Sequence, residues 1–163
     1  MLIGVVSDTH NNLKNIDIII SLFNKEEISL VVHTGDIANA HSLSKFSELK
    51  CDLIGVYGNN DRSEIGLNEE ACKNDFQFQE PPKIVSACKK NIAIFHEPDQ
   101  IDNFLLDNEN IDIVIHGHTH RYRNEIKNDI LFFNPGESAG MQKGKNAVGL
   151  INLKNLETRR IFF

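Results

Sequence analysis

Five short apolar runs constrain the fold of this chain more than any other feature of its sequence. They are rich in valine, isoleucine and leucine, and their apolarity is nearly continuous rather than alternating. Such runs are typical of strands that are covered on both faces. The runs are LIGVV at 2–6, ISLVV at 28–32, LIGVY at 53–57, IAIF at 92–95 and IDIVI at 111–115.

Each run leads at its end into polar residues that could bind a metal or a phosphate. Ligands of open α/β sheets collect at the carboxyl ends of the strands, so these residues predict one shared site. In chain order they are Asp8, His10, Asp36, Asn59, Asn60, Asp61, His96, His116, His118 and His120. His116 lies one step inside its strand, on the face opposite to Gly117. For His116 and also for His33 we therefore expect a hydrogen-bonded place in the core.

Helical periodicity separates the early runs. Leu13, Ile16, Ile20 and Phe23 recur at three- or four-residue spacing, and shorter helical patterns include Leu43 with Phe46 and Ile101 with Phe104 and Leu105. Later runs at 130–133, 147–153 and 159–163 alternate more and favour antiparallel strands, whereas 62–83 shows no readable pattern. This order predicts an α/β fold, a four-layer αββα sandwich with mixed β-sheets, in one domain over residues 1–163.

Composition and charge argue against several classes of function. A formal net charge of −6 gives the chain no general electrostatic reason to bind nucleic acid or an anionic membrane. The three cysteines are widely spaced and form no CxxC, which disfavours a disulfide scaffold or a thiolate zinc site. No apolar run approaches the ~18–20 residues of a membrane span, and the first residues do not resemble a signal peptide. We therefore expect a cytoplasmic location.

The residue types at the strand ends indicate the chemistry of the site. Imidazole nitrogens together with carboxylate and amide oxygens form a mixed donor set that suits Mn, Fe, Co, Ni or Zn. The candidates are too numerous for one ion, while two ions sharing a carboxylate would use about this number of ligands. Asp36 is in the middle of the set, so we expect it to bridge two ions. Motifs of phosphate-binding P-loops, dinucleotide-binding loops and serine hydrolases do not occur.

The order of these motifs resembles that of the calcineurin-like metallophosphoesterases over roughly residues 1–140. The matching segments are Asp8-Thr9-His10, Gly35-Asp36, Gly58-Asn59-Asn60-Asp61, His96 and Gly117-His118-Thr119-His120. Any one of these motifs is weak, but five of them in this order, each at a strand end, are specific. The chain is most similar to the small single-domain branch that includes bacterial YfcE-type phosphodiesterases and related archaeal enzymes.

The resemblance implies a metal-binding role for seven positions and a phosphoric diester hydrolase as the activity. The implied ligands are Asp8, His10 and His120 for the first ion, Asn59, His96 and His118 for the second, and Asp36 as the bridge. A hydroxide shared by the two ions would attack the phosphate, so Asp36 counts as catalytic. Asn59 counts as catalytic because its side chain would bind phosphate oxygens. Mn and Ni are the favoured metals.

Three neighbouring positions are expected to orient ligands or to contact the phosphate. Asp61 would orient a histidine ligand, while Asn60 and Arg62 are candidates for phosphate contact. Many family members have a histidine in place of Asn60, proposed as the acid that protonates the leaving group. An amide cannot supply that proton, which favours aryl or otherwise activated diesters over alkyl monoesters. Glu97 replaces a common glycine and adds a carboxylate near the mouth of the site, where it could reposition His96.

Two alternatives to an enzyme of small phosphodiesters stay open at this point. One is a scaffold, because the retromer complex contains a subunit of the same fold that works by binding partner proteins; the intact ligand positions count against it. The other is a nuclease-type phosphodiesterase, against which the net charge of −6 counts. The expected partner is thus a small phosphodiester, with no membrane and with nucleic acid disfavoured. The apolar segment RRIFF at 159–163 suggests a homodimer or a higher homo-oligomer.

Overall fold

The computed structural model describes residues Met1–Phe163, which form eleven strands and four α-helices. The strands are β1 (Leu2–Val6), β2 (Leu30–His33), β3 (Asp52–Val56), β4 (Gln77–Gln79), β5 (Lys83–Ala87), β6 (Lys90–Ile94), β7 (Ile113–Ile115), β8 (Arg123–Lys127), β9 (Ile130–Asn134), β10 (Ala147–Asn152) and β11 (Thr158–Phe162). The helices are α1 (Leu13–Lys25), α2 (Ala40–Lys45), α3 (Leu67–Lys73) and α4 (Ile101–Asp107). Short 3₁₀ turns follow α2 at Phe46–Glu48 and precede α4 at Pro98–Gln100.

The strands form two mixed sheets. The first has the order β11-β10-β1-β2-β3-β4. Strands β1 to β4 are parallel to one another, β10 pairs antiparallel with β1, and β11 pairs antiparallel with β10. The second has the order β5-β6-β7-β9-β8, in which β6, β7 and β9 are parallel and the edge strands β5 and β8 are antiparallel. Strands β1, β2, β3, β6 and β7 therefore present their carboxyl ends to the loops that carry the predicted site residues.

The two sheets pack face to face with helices on both outer sides. Ile3 and Val5 of β1 face a core shared with Ile94 and Ile115 of the second sheet. The other face of the first sheet packs against α1, α2 and α3, and that of the second sheet packs against α4. Apolar residues on both faces of one strand explain why the central runs read as continuously hydrophobic. The four-layer αββα sandwich predicted from the sequence is confirmed.

Helix α1 illustrates how the outer layers form. The side chain of Asn12 caps its first turn by accepting a hydrogen bond from the backbone nitrogen of Asn15, at 3.2 Å. Ile16, Ile20 and Phe23 then lie on the buried face that covers the first sheet. Full burial of each side chain of this kind stabilises the fold by about 1.5–3 kcal/mol. None of the helices combines the length and the apolarity that crossing a membrane requires.

The prediction was incomplete in two places. The run at 130–133 is not purely antiparallel, because β9 is parallel to β7 and antiparallel only to β8. Strands β4, β5 and β8 were not predicted. Each is an edge strand with mostly exposed or half-buried side chains, so its sequence lacks the apolar pattern of the central strands.

Candidate metal centre

All seven residues expected to bind metal lie together where the two sheets meet. They occupy the loops that follow β1, β2, β3, β6 and β7. Five of the seven have a left-handed backbone that is uncommon for residues other than glycine. These are Asp8, His10, Asp36, His118 and His120, with φ between 44° and 65°. Such strained conformations cluster at functional sites because the surrounding fold must hold them in place.

Asp8, His10 and His120 form one group of donor atoms. Their donor atoms lie within 4.8 Å of one another, and Nε2 of His120 is 3.3 Å from Oδ1 of Asp8. The adjacent carboxylate of Asp8 raises the pKa of His120. Oδ1 of Asp8 and Nε2 of His10 are buried and make no hydrogen bond. Because buried polar atoms are normally paired, two unpaired atoms in one group are what a cation site requires.

Asn59, His96 and His118 form a second group. Oδ1 of Asn59 lies 3.0 Å from Nε2 of His96 and 3.0 Å from Nδ1 of His118, and the two ring nitrogens are 3.3 Å apart. Nδ1 of His96 donates to the backbone oxygen of Thr34 at 2.8 Å, so in the neutral ring the lone pair of Nε2 is directed into the group. No sequence pattern marks Thr34, because its contribution is a backbone carbonyl.

Asp36 lies between the two groups. Its Oδ1 is 3.4 Å from Nε2 of His96, and its Oδ2 is 3.9 Å from Nε2 of His10. Burial raises the pKa of Asp36, but the hydrogen bond and charge of His96 and the bonds from Asn60 outweigh burial and hold that pKa well below its usual range. Burial has the opposite effect on His96 and lowers its pKa. The hydrogen bond and charge of Asp36 more than reverse this effect, so the pKa of His96 is raised.

Asn60 and Asp61 both hold Asp36 in place. The backbone nitrogen of Asn60 donates to Oδ1 of Asp36 at 3.0 Å, and its side-chain amide donates to Oδ2 at 2.7 Å. Asp61 was expected to orient a histidine, and this expectation is wrong. Its carboxylate instead accepts four backbone hydrogen bonds of 2.8 Å, because it faces the turn that carries Asp36. The donors are the nitrogens of Asp36, Ile37, Ala38 and Gly58.

Arg62 and Glu97 contact each other at the rim of the site. Nη2 of Arg62 lies 2.6 Å from Oε2 of Glu97, and its Nε lies 3.6 Å from Oε2 of Glu80. The Glu97 carboxylate is thus directed to Arg62, and His96 keeps its place in the second group. The expectation that Arg62 contacts a phosphate stays a prediction, since its guanidinium is paired with carboxylates here.

His33 and His116 lie in the core, as expected. Nε2 of His33 is 3.0 Å from Oγ1 of Thr9, and its Nδ1 accepts from the backbone of Gly35. Burial lowers the pKa of His33 to about 3 and that of His116 to about 4. Both rings are therefore neutral at pH 7, and neither belongs to the two groups of donor atoms.

Two glycines allow the groups to come this close. A Cβ atom added to Gly58 would lie 2.2 Å from Oδ1 of Asp36, and one added to Gly117 would lie 2.1 Å from Oγ of Ser7 and 3.0 Å from Oδ2 of Asp8. The space that a side chain would need at either position is therefore occupied by the candidate ligands and their neighbours. The donor set of imidazole, carboxylate and amide fits divalent ions of the Mn-to-Zn series.

Comparisons with known proteins find relatives that match the chain over its whole length. A phosphodiesterase of Methanocaldococcus jannaschii is 33% identical over 99% of this chain and 98% of its own length. The solved structure of an archaeal phosphodiesterase is 31% identical, covers 100% of both chains and superposes with a TM-score of 0.91.

Two more distant structures share the fold. YfcE, a phosphoesterase from E. coli, is 21% identical over 99% of this chain and 98% of its own, with a TM-score of 0.70. Vps29 of Entamoeba histolytica is 17% identical over 100% and 99%, with a TM-score of 0.71. Residues 1–156 match the family model of the calcineurin-like phosphoesterase superfamily domain. The chain therefore belongs to the calcineurin-like phosphoesterase superfamily.

Proposed function

We propose that this protein is a metal-dependent phosphodiesterase that binds two divalent cations and hydrolyses small phosphodiesters. The observation that carries the proposal is the position of Asp36, one of whose oxygens faces His96 and the other His10. A carboxylate in this position suits a bridging ligand. Support also comes from the similarity to an archaeal phosphodiesterase over the whole chain.

The two groups of donor atoms support a division of the ligands between two cations. Asp8, His10 and His120 would hold one cation, Asn59, His96 and His118 the other, and Asp36 would contact both. Two such ions supply a water of lowered pKa and neutralise charge on the phosphate oxygens. Mn²⁺ and Ni²⁺ are our choice among metals that accept this mixed donor set.

The residues of the chain prepare the site for that chemistry. Asp36 is ionised at neutral pH, because its pKa is held well below the usual range, so no proton opposes cation binding. The bond from His96 to Thr34 fixes the ring orientation before any cation arrives. Asn59 uses its side-chain oxygen within the second group, which leaves its amide nitrogen to donate to a phosphate oxygen.

The need of the leaving group for a proton limits which phosphoesters the site can hydrolyse. The Asn60 amide is not an acid, and it donates to Asp36 rather than into the site. The chain therefore offers no proton donor at this position, and esters whose alcohol leaves as a stable anion should react fastest. Aryl phosphodiesters meet this condition better than alkyl monoesters.

The proposal is tested by loading the purified protein with Mn²⁺ or Ni²⁺ and following hydrolysis of a chromogenic bis-aryl phosphodiester. Asp36→Asn should lower kcat/KM about a thousandfold or more, since a bridging carboxylate is worth several kcal/mol. Asp102→Asn, on the exposed side of α4, is the matched control and should retain activity. Elemental analysis should find two metal ions per chain.

A scaffold function is the alternative outcome of the same experiment. The fold is shared with Vps29, so the fold alone does not separate an enzyme from a protein of another role. No turnover with any divalent metal, together with no bound metal, would favour the scaffold. If nucleic acid were the substrate, the protein would bind it with an affinity that falls steeply as the salt concentration rises. The cytoplasmic location and the homo-oligomer stay predictions.

A further inference from the structure

The ion pair between Arg62 and Glu97 lies beside the second group of ligands. Glu97 directly follows His96, and Arg62 directly follows Asp61, whose carboxylate holds the turn of Asp36. Nη2 of Arg62 is 2.6 Å from Glu97 and Nε is 3.6 Å from Glu80. One guanidinium is therefore shared by two carboxylates, which leaves this part of the rim with one net negative charge.

The pair joins two parts of the fold at the mouth of the site. Arg62 follows β3 of the first sheet, and Glu97 follows β6 of the second. Their side chains are 46% and 22% exposed, so an incoming substrate can meet them. A guanidinium is well suited to bind a phosphate through two parallel hydrogen bonds, and Glu97 occupies that capacity.

The charge of the substrate decides how strongly this arrangement matters. A phosphomonoester carries a charge of about −1.5 to −2 at pH 7. A diester carries only a single negative charge. The additional charge of a monoester would meet Glu97 and Glu80 without a free Arg62 to offset them. A diester escapes most of this penalty.

We propose that Glu97 withholds Arg62 from the substrate and so makes the site select phosphodiesters against phosphomonoesters. This inference rests on the proposed function and names a determinant of its substrate class. Both side chains are positioning residues, because they act through charge and orientation and not on the reacting atoms. The selection differs from that due to Asn60, which concerns the proton of the leaving group and not the charge of the phosphate.

The test compares two substrates with the same aryl leaving group, a phosphomonoester and a bis-aryl phosphodiester. In Glu97→Gln, the ratio of kcat/KM for the monoester to that for the diester should rise about three- to tenfold, as one rim charge is removed and Nη2 of Arg62 loses its carboxylate partner. Adding Arg62→Gln should return the ratio toward the original value. Glu97→Asp keeps the charge and should rescue most of the selectivity.

Glu26→Gln is the matched control. Glu26 forms an ion pair with Arg159, and the two side chains are 26% and 58% exposed, close to the values of the Glu97 pair. Because Glu26 caps the carboxyl end of α1, the 13 residues of the helix, about 20 Å in length, separate it from the loop of Asp8 and His10, and its neutralisation should leave the ratio unchanged. An equal rise in Glu26→Gln would overturn the proposal, since it would reflect the net charge of the protein.

A binding measurement separates this inference from the proposed function. Calorimetric titration of the Mn²⁺-loaded protein with inorganic phosphate and with dimethyl phosphate requires no turnover. Glu97→Gln should tighten phosphate binding about three- to tenfold and change dimethyl phosphate binding by less than about twofold. Equal changes for both ligands would overturn the inference. A wild type without diester turnover would sink the proposed function instead, and the binding ratio would still decide the role of Glu97.

Discussion

Oδ2 of Asp61 lies 2.8 Å from the backbone nitrogen of Asp36. A carboxylate that belongs to neither ligand group therefore holds the loop that carries Asp36, the central candidate ligand. The same carboxylate accepts from Ile37, Ala38 and Gly58, and it is buried. Asp61 thus joins the loop after β2 to the loop after β3. The position of Asp36 between the two groups depends on this junction.

Asp61→Asn should therefore cost both stability and metal affinity. The amide replaces one acceptor oxygen by an NH₂ group that faces backbone N–H donors, so about two hydrogen bonds are lost. We expect the free energy of unfolding in urea to fall by about 2–4 kcal/mol, and Mn²⁺ affinity to fall about 10- to 100-fold. Asp102→Asn serves as the control. Unchanged Mn²⁺ affinity in a folded Asp61→Asn protein would contradict this role.

Divalent metal should stabilise the folded protein. Oδ1 of Asp8 and Nε2 of His10 are buried and make no hydrogen bond, and a bound cation would contact both atoms. At a concentration about 100 times Kd, one bound ion adds about 2.7 kcal/mol, which corresponds to about 5–10 °C in Tm for a chain of this length. Thermal unfolding with and without a chelator measures the difference. In Asp8→Asn the rise should shrink, and an undiminished rise would place the stabilising ion elsewhere.

Gly58→Ala should disturb the centre without touching a ligand. The new Cβ would lie 2.2 Å from Oδ1 of Asp36 and 2.4 Å from its backbone nitrogen, so Asp36 must move. We expect a loss of about 1–3 kcal/mol in stability from overpacking, and weaker Mn²⁺ binding by calorimetry. Ser63→Ala, an exposed position after the same loop, should behave like wild type. Normal Mn²⁺ binding by Gly58→Ala would show that Asp36 need not keep its place.

The buried histidine His33 should make the metal-free protein sensitive to acid. Burial lowers its pKa to about 3, whereas an unfolded histidine titrates near 6.5. Between these values the unfolded state binds more protons, so stability falls as the pH falls. Relative to His33→Gln, the wild type should lose about 2 kcal/mol of unfolding free energy between pH 7 and pH 5.

Urea unfolding in the presence of a chelator, at several pH values, tests this prediction for His33. The exposed histidine His41 provides the control substitution, His41→Gln. Parallel pH profiles for wild type and His33→Gln would show that burial of His33 does not govern the acid sensitivity.

Much of the site was predictable because its ligands directly follow apolar strands. The apolar runs that end before Asp8, Asp36 and Asn59 identify three strands. The side chains that follow each run must therefore lie at the carboxyl edge of the sheet. Residues such as His96 and His118 could be placed for the same reason. Their grouping into two sets of donor atoms is what the resemblance implied, and the structure brings both sets together.

The remaining features depend on contacts that no local pattern records. Asp61 looked like a ligand-orienting residue, but its partners are backbone nitrogens, which every sequence contains. The ion pair of Arg62 and Glu97 spans 35 positions and two sheets, so neither residue indicates the other. Strand β8 was missed because pairing with β9, rather than its own apolarity, holds it in the sheet.

Because the candidate ligands are divided between the two sheets, cation binding requires both halves of the chain. Each group of donor atoms combines residues from before and after the turn at Pro81 and Pro82: Asp8 and His10 need His120, and Asn59 needs His96 and His118. A chain nicked at that turn would yield two fragments, neither holding a complete group. Cation affinity would then return only as the fragments reassociate, which makes metal binding a direct report on reassembly.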